Sequence, residues 1–594
     1  MLTAFFVFIA STQPLMISHN RLLSVVVLCM TAINTLAQNG LTNLTPNSFK
    51  IEDNWKVYEQ VQMHPFKPDA TQKLPLYSET EGVLLGSVGM PATVRLESGD
   101  VLLQFEFAIS KDGKSNVTLP GGYVVKVADS WLQNGTKNTT SGGIGNNIPS
   151  QNASKASGLW QTVRLLIRKA RPATPAQLEY LYLNDVLIQE NIFLPQTNNS
   201  NILSFQVEAG TLAVQKVLYQ IQNEVKPVSL TQMTYQLYKD WAENIESIDP
   251  KNLIKKDTTS TLSQTWGVGQ KDFCVVYDGT INVKITAEYQ FSMAYMGHLS
   301  LAIDDKPVLP NQWSEFSQQP VGRSVNLSAG EHRFRLFYHK AWRPAALGLT
   351  VSALGVRPYS LHALSSLPEP EPIPMITVEP KDKPEILRSF IQIEGESTKR
   401  THVLSVGSPQ GLHYSVDLNQ AALLQVWRGA FADVTEMWHE RGEPQLLKPL
   451  GVKQQLDGKS IIATLNEPAA LWPDTVAAIT YKATKLDELG APTLHYLFDK
   501  TEITQKLIPT RNGLVNTITA AALITDLTIR LAVADAIIEI EKGIYSIDNG
   551  TSNGRHQQYY IYIPSEFSPV VRTSNGKQEL IAPLKEMIAY TIAW

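Results

Sequence analysis

The sequence predicts an all-β protein built from three consecutive β-rich blocks. Short segments in which apolar and polar residues alternate recur along the chain, turn residues separate them at near-regular spacing, and helical periodicity is rare. At roughly 150 residues per domain, 594 residues allow about three or four domains. A net charge of −4 supplies no basic surface for nucleic acid, and a hydrophobic content of 43% is that of a globular protein.

The N-terminus has the pattern of an export signal. Arg21 precedes an apolar run, Leu22–Ala37, that ends in a small-residue cleavage site. We therefore predict a signal peptide over residues 1–37, with the true start at Met16, and an exported protein, periplasmic or extracellular, after cleavage near Ala37. Cleavage removes one of the two Cys residues and leaves Cys274, which excludes a disulfide within the mature chain. No other run reaches the roughly 20 apolar residues that a membrane span needs.

The first block, residues 45–225, is predicted to be a β-sandwich because many short strands follow one another at near-regular spacing. Asn184-Asp185 separates two apolar strands and predicts a tight hairpin. A polar loop from Leu132 to Gly158 interrupts the strands, and a loop of this length in a compact domain is usually functional or mobile. The clearest strand predictions are Gly82–Leu85, Val101–Phe107, Tyr123–Val127, Val163–Ile167 and Leu178–Leu183.

The rest of the chain is predicted to hold two further β-rich domains. Residues 226–262 have the pattern of a helical or irregular connector, and strand signals over 263–366 predict a second β-sandwich. The dense prolines of 367–384 predict a semi-rigid linker. The larger C-terminal domain, 385–594, is again β-rich, although its pattern leaves open one helix around Ala520–Ala534.

Standard catalytic motifs are absent from the sequence. It contains no glycine-rich phosphate loop, no His-Glu-x-x-His, no Cys-x-x-Cys and no Gly-x-Ser-x-Gly. Nucleotide chemistry and zinc proteolysis are therefore not expected. Because His64 is the one histidine of the first block, carboxylates are the candidate acid/base groups there.

Four segments of the first block carry a family resemblance. In order and spacing, they resemble the 3-keto-disaccharide hydrolase family, and the hairpin at Asn184-Asp185 is similar to a late hairpin of that family. The resemblance covers residues 45–222 and implies a concanavalin-like jelly-roll sandwich that acts on oxidised glycosides. The segments are Gly121–Trp131, Gly142-Gly143-Ile144, Asn152–Lys155 and Gly158–Gln161.

The departures from the family pattern bear on catalysis. Val124 and Lys126 stand where the family has Glu and Gln, and Glu208 lies in the loop where the family has Asp-His-Gly. Valine cannot transfer a proton or bind a metal, and Lys126 reverses the local charge. The resemblance leaves Asp129 as the retained acid, with Glu106 and Glu208 as the other acids that would reach the cleft. A turn cap for Asp129 and a solvated strand face for Glu106 are the structural alternatives.

Sugar contacts in the first block are predicted at Tyr123 and Lys126, on the strand that leads to Asp129. Trp131 and Trp160 could stack on a sugar ring, and a place in the sandwich core is the alternative for both.

The second block contains the segments Leu299–Lys306, Leu327–His332 and Leu347–Leu349. With these segments it is similar to the protective-antigen-like sandwiches that often serve as carbohydrate-binding modules. Sugar-binding members of that group use an Asp-Asp pair with calcium on an earlier loop, which here reads Ala294–His298. Asp304-Asp305 lies at a hairpin turn instead. A spacer role for the second block is therefore preferred over an unconfirmed calcium site at this turn. No other metal or cofactor is predicted.

The third block contains the densest aromatic and charged segment of the chain, from Gly411 to Gly442. With this segment, residues 386–594 resemble a C-terminal module of multidomain bacterial exported proteins. Indole rings for stacking and Arg for hydrogen bonds would suit a sugar platform. The same residue types are also typical of an inter-domain interface or a surface for a protein partner. The candidate residues are Trp427, Arg428, Trp438, His439 and Arg441.

Two functions follow from these patterns. In the first, the protein is a hydrolase or lyase of 3-keto-disaccharides or 3-keto-glucosides. In the second, which we prefer because of Val124, Lys126 and the missing histidine, the first domain keeps the fold, has lost the chemistry, and the protein binds carbohydrate.

Overall fold

The computed structural model describes residues 41–68, 70–75, 82–133, 135–172, 174–195, 198, 200–222, 225–317, 319–340, 344–367, 373–439, 445–467, 469–552 and 555–594. Strands make up nearly all of the regular secondary structure of this described part, with one α-helix, α1 (Thr435–Trp438), and six 3-10 turns, which confirms the all-β fold class. It contains no helix with the length and apolar character of a membrane span. The predicted signal peptide lies outside it.

The chain divides into two compact units. One comprises residues 228–351 and 360–370, and the other comprises residues 41–227, 352–359 and 371–594. The second unit therefore unites the first and third predicted blocks, which the sequence presents as separate domains.

The first block is a sandwich of two antiparallel sheets. Nine strands form one sheet, in the order β11-β10-β9-β6-β13-β4-β2-β3 with β1 beside β13, and four form the other, in the order β5-β12-β7-β8. The strands are β1 (Thr42–Leu44), β2 (Trp55–Met63), β3 (Ala70–Pro75), β4 (Val83–Ser87), β5 (Ala92–Arg95), β6 (Asp100–Ile109), β7 (Lys114–Leu119), β8 (Tyr123–Ala128), β9 (Gln161–Arg168), β10 (Ala176–Leu183), β11 (Val186–Leu194), β12 (Ile202–Ala209) and β13 (Thr211–Gln222).

Turn chemistry and alternation explain these elements. Asn184 and Asp185 both have positive φ, at 51° and 62°, and join β10 to β11 in the tight hairpin that the sequence predicts. Phe105 of the nine-stranded sheet meets Phe205 of the four-stranded sheet edge-on, with ring centroids 5.3 Å apart. The sandwich core therefore lies between the two sheets.

The unit of residues 228–351 is also all-β. β14 and β15 occupy most of the segment 226–262, so the predicted helical or irregular connector is corrected: alternation of buried and exposed residues along β14 places it in the sheet. The strand order is β15-β14-β16-β20-β17-β21, and β18 and β19 also pair with β17. The strands that follow β13 are β14 (Val228–Lys239), β15 (Leu253–Thr259), β16 (Phe273–Val283), β17 (Ala287–Ile303), β18 (Lys306–Ser314), β19 (Val321–Leu327), β20 (Gly330–Lys340), β21 (Ala346–Ala353) and β22 (Val356–Ser360).

The third block contains sheets of three, five, four and eight strands. The helix left open around Ala520–Ala534 is not formed, because β35 and β36 occupy this segment and pair with β42 and β41. The strands are β23 (Thr377–Val378), β24 (Glu385–Ile391), β25 (Arg400–Gly407), β26 (Leu412–Asp417), β27 (Ala422–Arg428), β28 (Ala432–Asp433), β29 (Lys448–Pro449), β30 (Val452–Gln455), β31 (Ile462–Thr464), β32 (Ile479–Leu486), β33 (Pro492–Phe498), β34 (Thr501–Thr510), β35 (Gly513–Ala520), β36 (Leu527–Ala534), β37 (Ala536–Glu541), β38 (Ile544–Ser552), β39 (Arg555–Tyr562), β40 (Val570–Ser574), β41 (Lys577–Pro583) and β42 (Met587–Ala593).

The described half of the proline-rich linker lies on the third block. β23 pairs with β28, and the backbone N–H of Val434 donates to the carbonyl of Ile376 at 2.9 Å. The Glu379 carboxylate accepts from the N–H of Phe431 at 3.3 Å. Residues 373–384 are thus held by the domain that they precede.

The third block covers the outer face of the nine-stranded sheet. The Tyr560 ring is fully buried against this face, and its hydroxyl donates to the carbonyl oxygens of Ser157 at 3.2 Å and Met63 at 3.4 Å. Nearby, the N–H of Ala156 donates to the carbonyl of Trp594 at 3.1 Å. This apolar and hydrogen-bonded contact makes the two blocks one packed body.

Two substitutions of Tyr560 separate the contribution of its hydroxyl hydrogen bonds from that of its packed ring. Tyr560→Phe keeps the ring and removes the hydroxyl, so we expect a loss of about 1 kcal/mol in the free energy of unfolding. Tyr560→Ala leaves a cavity and should cost about 3–5 kcal/mol. Urea unfolding measures both values. Equal losses for the two variants would contradict close packing of the ring.

Candidate functional site

Glu106 lies on the covered face of the nine-stranded sheet. On β6 it alternates with Phe105 and Phe107, which fill the sandwich core, so its side chain points out of the sandwich toward the third block. The carboxylate accepts from Gln215 Nε2 at 2.7 Å and lies 3.3 Å from Lys216 Nζ. Its side chain is only 3% exposed. Glu106 is therefore neither on a solvated face nor in an open cleft.

His556 of the third block completes this buried charge cluster. Its Nδ1 lies 3.6 Å from the Glu106 carboxylate, and its Nε2 lies 3.0 Å from Asp548. Burial alone would raise the pKa of Glu106, but the adjacent His556, the charge of Lys216 and the hydrogen bond from Gln215 lower it from 4.5 to about 2. Burial opposes the charge on His556, but the hydrogen bond with Asp548 and the charges of Asp548 and Glu106 raise its pKa above 6.5.

Asp129 holds a turn. Its carboxylate accepts from Lys111 Nζ at 2.8 Å and from the backbone N–H of Asp112 at 2.9 Å. The side chain is 3% exposed. The structure thus places Asp129 in the turn-cap arrangement, with its oxygens bonded to the 111–112 turn.

Glu208 lies on the outer face of the four-stranded sheet, together with Lys126. Asn116 joins them: its Nδ2 donates to the Glu208 carboxylate, and its Oδ1 accepts from Lys126 Nζ at 2.7 Å. The Lys126 and Glu208 side chains are 34% and 44% exposed, and their charged atoms are 3.9 Å apart. We call these three residues the open polar row. It brings together two predicted site residues, Lys126 and Glu208, and adds Asn116, which the sequence analysis did not identify.

The alternation along β7 carries a signal for Asn116 that can be used only once the strand pairing is known. Asn116 opposes Lys126 on the neighbouring strand β7, and alternation puts both on the face opposite the buried Val117 and Val125. The pairing of β7 with β8 had to be known before this position could be recognised.

The glycine-rich loop extends the four-stranded sheet beside Lys126. The Lys126 N–H donates to the carbonyl of Gly143, and the Gly142 N–H donates to the carbonyl of Lys126, both at 2.8 Å. Gly142 has φ +86°, and a Cβ there would overlap the Ile188 side chain. Part of the predicted functional loop is therefore an ordered edge next to the open polar row.

Tyr123 points into the sandwich and not to its outer face. It is 6% exposed and belongs to the core cluster. It also lines a cavity of about 340 Å³ with Lys169, Arg171, Asn198 and Asn201. Arg171 is paired there with Asp100 at 3.2 Å. Tyr123 thus does not join Lys126 on the outer face, although the two residues share a strand.

The tryptophans of the first block have packing roles. Trp160 is 6% exposed, packs on the outer face of the nine-stranded sheet, and its ring lies 6.2 Å from that of His556. Trp131 packs against the cluster that contains Tyr560 and Ala593. Both indoles therefore lie at the contact with the third block rather than on a sugar-accessible surface.

Two candidate residues of the third block, Trp427 and Arg428, are also buried. The Trp427 ring is fully buried, stacks on Phe431 at 5.6 Å, and its Nε1 donates to the Phe431 carbonyl at 2.7 Å. Arg428 Nη1 donates to the carbonyls of Asn152 and Ser154 in the first block, at 3.4 and 3.5 Å. Burial lowers the pKa of Arg428 to about 10. This part of the predicted platform is an interface between blocks.

Trp438 and His439 differ from these buried residues. Trp438 ends helix α1 and is 53% exposed, and His439 follows it at the surface. Arg441 lies outside the described residues. The predicted platform is therefore split between a buried and an exposed part.

The Asp304-Asp305 turn has its own partners. Asp304 binds His332 Nδ1 at 2.6 Å and accepts from the N–H of Arg333, whose guanidinium pairs with Asp305 at 2.9 Å. Both residues have positive φ in the β17–β18 hairpin. Within the described ranges, no group of three or more His, Cys, Asp or Glu side chains could hold a metal ion.

Comparison with known proteins identifies one domain family. Residues 234–355 match the sequence model of the PA14 domain, in agreement with the resemblance of the second block, whereas no match to the 3-keto-disaccharide hydrolase family was found. No curated protein matches the chain.

Solved structures give only weak overall similarity. A β-glucosidase from Kluyveromyces marxianus in complex with glucose is 14% identical, with 20% of this chain and 15% of that chain covered and a TM-score of 0.17. An anti-sigma factor domain-containing protein from Clostridium clariflavum is 13% identical, with 53% and 92% covered and a TM-score of 0.20. An α-xylosidase from Xanthomonas citri is 11% identical, with 46% and 34% covered and a TM-score of 0.19.

The buried charge cluster predicts how stability depends on pH. We expect Glu106→Gln to lower the free energy of unfolding by about 3 kcal/mol near pH 5–6, because it leaves His556 and Lys216 without their buried partner. The contribution of Glu106 is present above pH 4.5 and is lost as pH falls toward 2. That of His556 is present below pH 6.5 and is lost as pH rises through its raised folded pKa.

Urea unfolding of the wild type and Glu106→Gln across this pH range measures the difference. It should shrink on both sides of its maximum. The exposed Glu208→Gln is the matched control, with an expected effect within about 0.5 kcal/mol. A difference that does not vary with pH would refute the ionised Glu106–His556 pair.

Proposed function

We propose that this protein is an exported carbohydrate-binding protein whose first domain has a degenerate catalytic site, and that the open polar row of Asn116, Lys126 and Glu208 contacts the sugar. One observation carries the proposal. Of the three candidate carboxylates, Glu208 alone has its side chain at the surface, at 44% exposed, while those of Glu106 and Asp129 are each 3% exposed.

The open polar row suits sugar hydroxyls. A carboxylate accepts hydrogen bonds, an ammonium donates them, and an amide does both, which matches groups that each donate and accept. Asn116 links the other two side chains, so the row is ordered before a ligand arrives and loses less conformational entropy on binding. The match of residues 234–355 to the PA14 domain supports the same ligand class.

The arrangement argues against hydrolysis in the first domain. Glycoside hydrolysis commonly uses two carboxyl groups about 5–9 Å apart, one of which donates a proton. Glu106, with a pKa of about 2 and a covered carboxylate, cannot be that acid near neutral pH. The oxygens of Asp129 are bonded to Lys111 and the adjacent backbone. The alternative, an active hydrolase or lyase of 3-keto-disaccharides, therefore requires a different acid.

The binding test is isothermal titration calorimetry with 3-keto-trehalose and trehalose. We expect Glu208→Ala and Lys126→Ala each to weaken binding about tenfold, because each removes a charged hydrogen-bonding group. Glu97→Ala, which removes another exposed glutamate of the same block, should leave the affinity unchanged. Equal affinities for all of these variants would rule out the open polar row as the binding surface.

A turnover assay tests the catalytic alternative. The mature protein is incubated with 3-keto-trehalose or a 3-keto-glucoside, with and without EDTA, and products are followed by chromatography. We expect saturable binding without turnover. Turnover abolished by Asp129→Asn, in protein that remains folded, would establish the enzyme and overturn the proposal of a degenerate site.

The export proposal rests on the pattern of residues 1–37. Expression of the full chain in a bacterial host, followed by N-terminal sequencing of the secreted or periplasmic protein, should find Gln38 as the first residue. Retention of residues before Gln38 would contradict cleavage near Ala37.

A further inference from the structure

The unit of residues 228–351 presents a row of aromatic rings on one sheet face. Register places Cys274, His339, His298 and Trp313 directly opposite one another on β16, β20, β17 and β18. Directly paired residues point to the same face of a sheet. The rings of His339 and His298 are stacked with centroids 5.8 Å apart, and Trp313 meets His298 edge-on at 5.0 Å.

The indole of Trp241 lies beside His339, away from Trp313 along this row. Trp241 follows β14, and its ring meets that of His339 at a right angle, with centroids 5.9 Å apart. His339 is fully buried, and burial lowers its pKa to about 4, so its neutral ring supports the indole without a competing charge. Trp241 itself is 60% exposed.

The exposure of Trp241 does not result from a loose segment. The adjacent Ala242 is 3% exposed and packs with Cys274 and Phe337. The N–H of Asp240 donates to the carbonyl of Asp272 at 3.2 Å, and Asn311 Nδ2 donates to the carbonyl of Glu243 at 2.8 Å. The backbone thus holds an indole in water, although burying such a side chain would gain about 1.5–3 kcal/mol.

Polar groups surround the two indoles. The side chains of Glu243 and Asn311 are exposed beside the row, and His298 is half-buried. Nδ1 of His298 is buried and has no hydrogen-bond partner in the described part of the chain. An apolar ring face bordered by carboxylate and amide groups matches a pyranose, which has an apolar C–H face and a rim of hydroxyls.

We propose that Trp241, His298 and Trp313, with Glu243 and Asn311, form a second carbohydrate site, which binds a neutral oligosaccharide. This rests on the proposed carbohydrate-binding function and names the ligand class for the second unit. Two indoles separated by two imidazoles favour a ligand of more than one sugar ring, because each indole stacks on one ring. The Glu243 carboxylate disfavours acidic sugars by like-charge repulsion. The site uses neither the Asp304-Asp305 turn nor a metal.

Calorimetry on the full chain with maltohexaose, cellohexaose and laminarihexaose tests this site. At least one hexaose should bind more tightly than glucose. Trp241→Ala should weaken that binding at least tenfold, and Trp241→Phe should weaken it less, because a smaller aromatic face remains. The matched control is Leu364→Ala, which removes a 90% exposed apolar side chain of the same unit and should leave the affinity unchanged.

Footprinting locates the contact independently of the variants. Oxidation of exposed indoles by N-bromosuccinimide, read by peptide mass spectrometry, should modify Trp241 in the free protein, and the bound hexaose should protect it. Circular dichroism confirms that each variant is folded. Unchanged affinity in Trp241→Ala together with no protection of Trp241 overturns the second site.

The two carbohydrate proposals fail in different ways. If Glu208→Ala abolishes hexaose binding and Trp241→Ala does not, the second site is wrong and the open polar row stands. If Trp241→Ala abolishes binding and Glu208→Ala does not, the second site stands and the open polar row is wrong for these ligands. If no hexaose binds, the second site is overturned, and the 3-keto-trehalose titration alone decides the open polar row.

Discussion

The architecture of the larger unit depends on the cover that the third block places over the nine-stranded sheet. That sheet is apolar on both faces around Glu106, with Phe105 and Phe107 inside the sandwich and Ala108, Trp160 and Ala213 outside it. A buried carboxylate is stable only when cations pair with it, and His556, from the C-terminal part of the chain, is one of these cations. The cover and the charge cluster are therefore one feature: neither side is complete without the other.

The opposite side of the sandwich carries exposed charge. Val124, Lys126 and Glu208 lie together on the outer face of the four-stranded sheet. The side chains of Lys126 and Glu208 are in contact with water there, whereas the Glu106 carboxylate on the nine-stranded sheet is covered by the third block.

Local patterns predicted much of the fold and little of the site. The hairpins at Asn184-Asp185 and Asp304-Asp305, and the opposite orientation of Glu106 and Phe105, follow from turn chemistry and alternation. The contact between Glu106 and the third block could not be predicted from the sequence. Thr551, which lies near His556 in the sequence and also contacts Glu106, is 445 positions away, and no local signal encodes such a contact. Trp427 illustrates the same limit, since an indole buried between blocks and one on a sugar platform have the same sequence environment.

The nine-stranded sheet and the third block that covers it are far apart in the sequence, and this separation affects folding during synthesis. Tyr560 and Ser157, which meet at the interface, are 403 positions apart. At about 5–20 residues per second, a ribosome needs roughly 20–80 s to make the chain between them. For that time the first sandwich carries a bare apolar sheet face, a state that invites self-association. A chaperone that covers this face, or delayed collapse of the sandwich, would protect it until the last strands emerge.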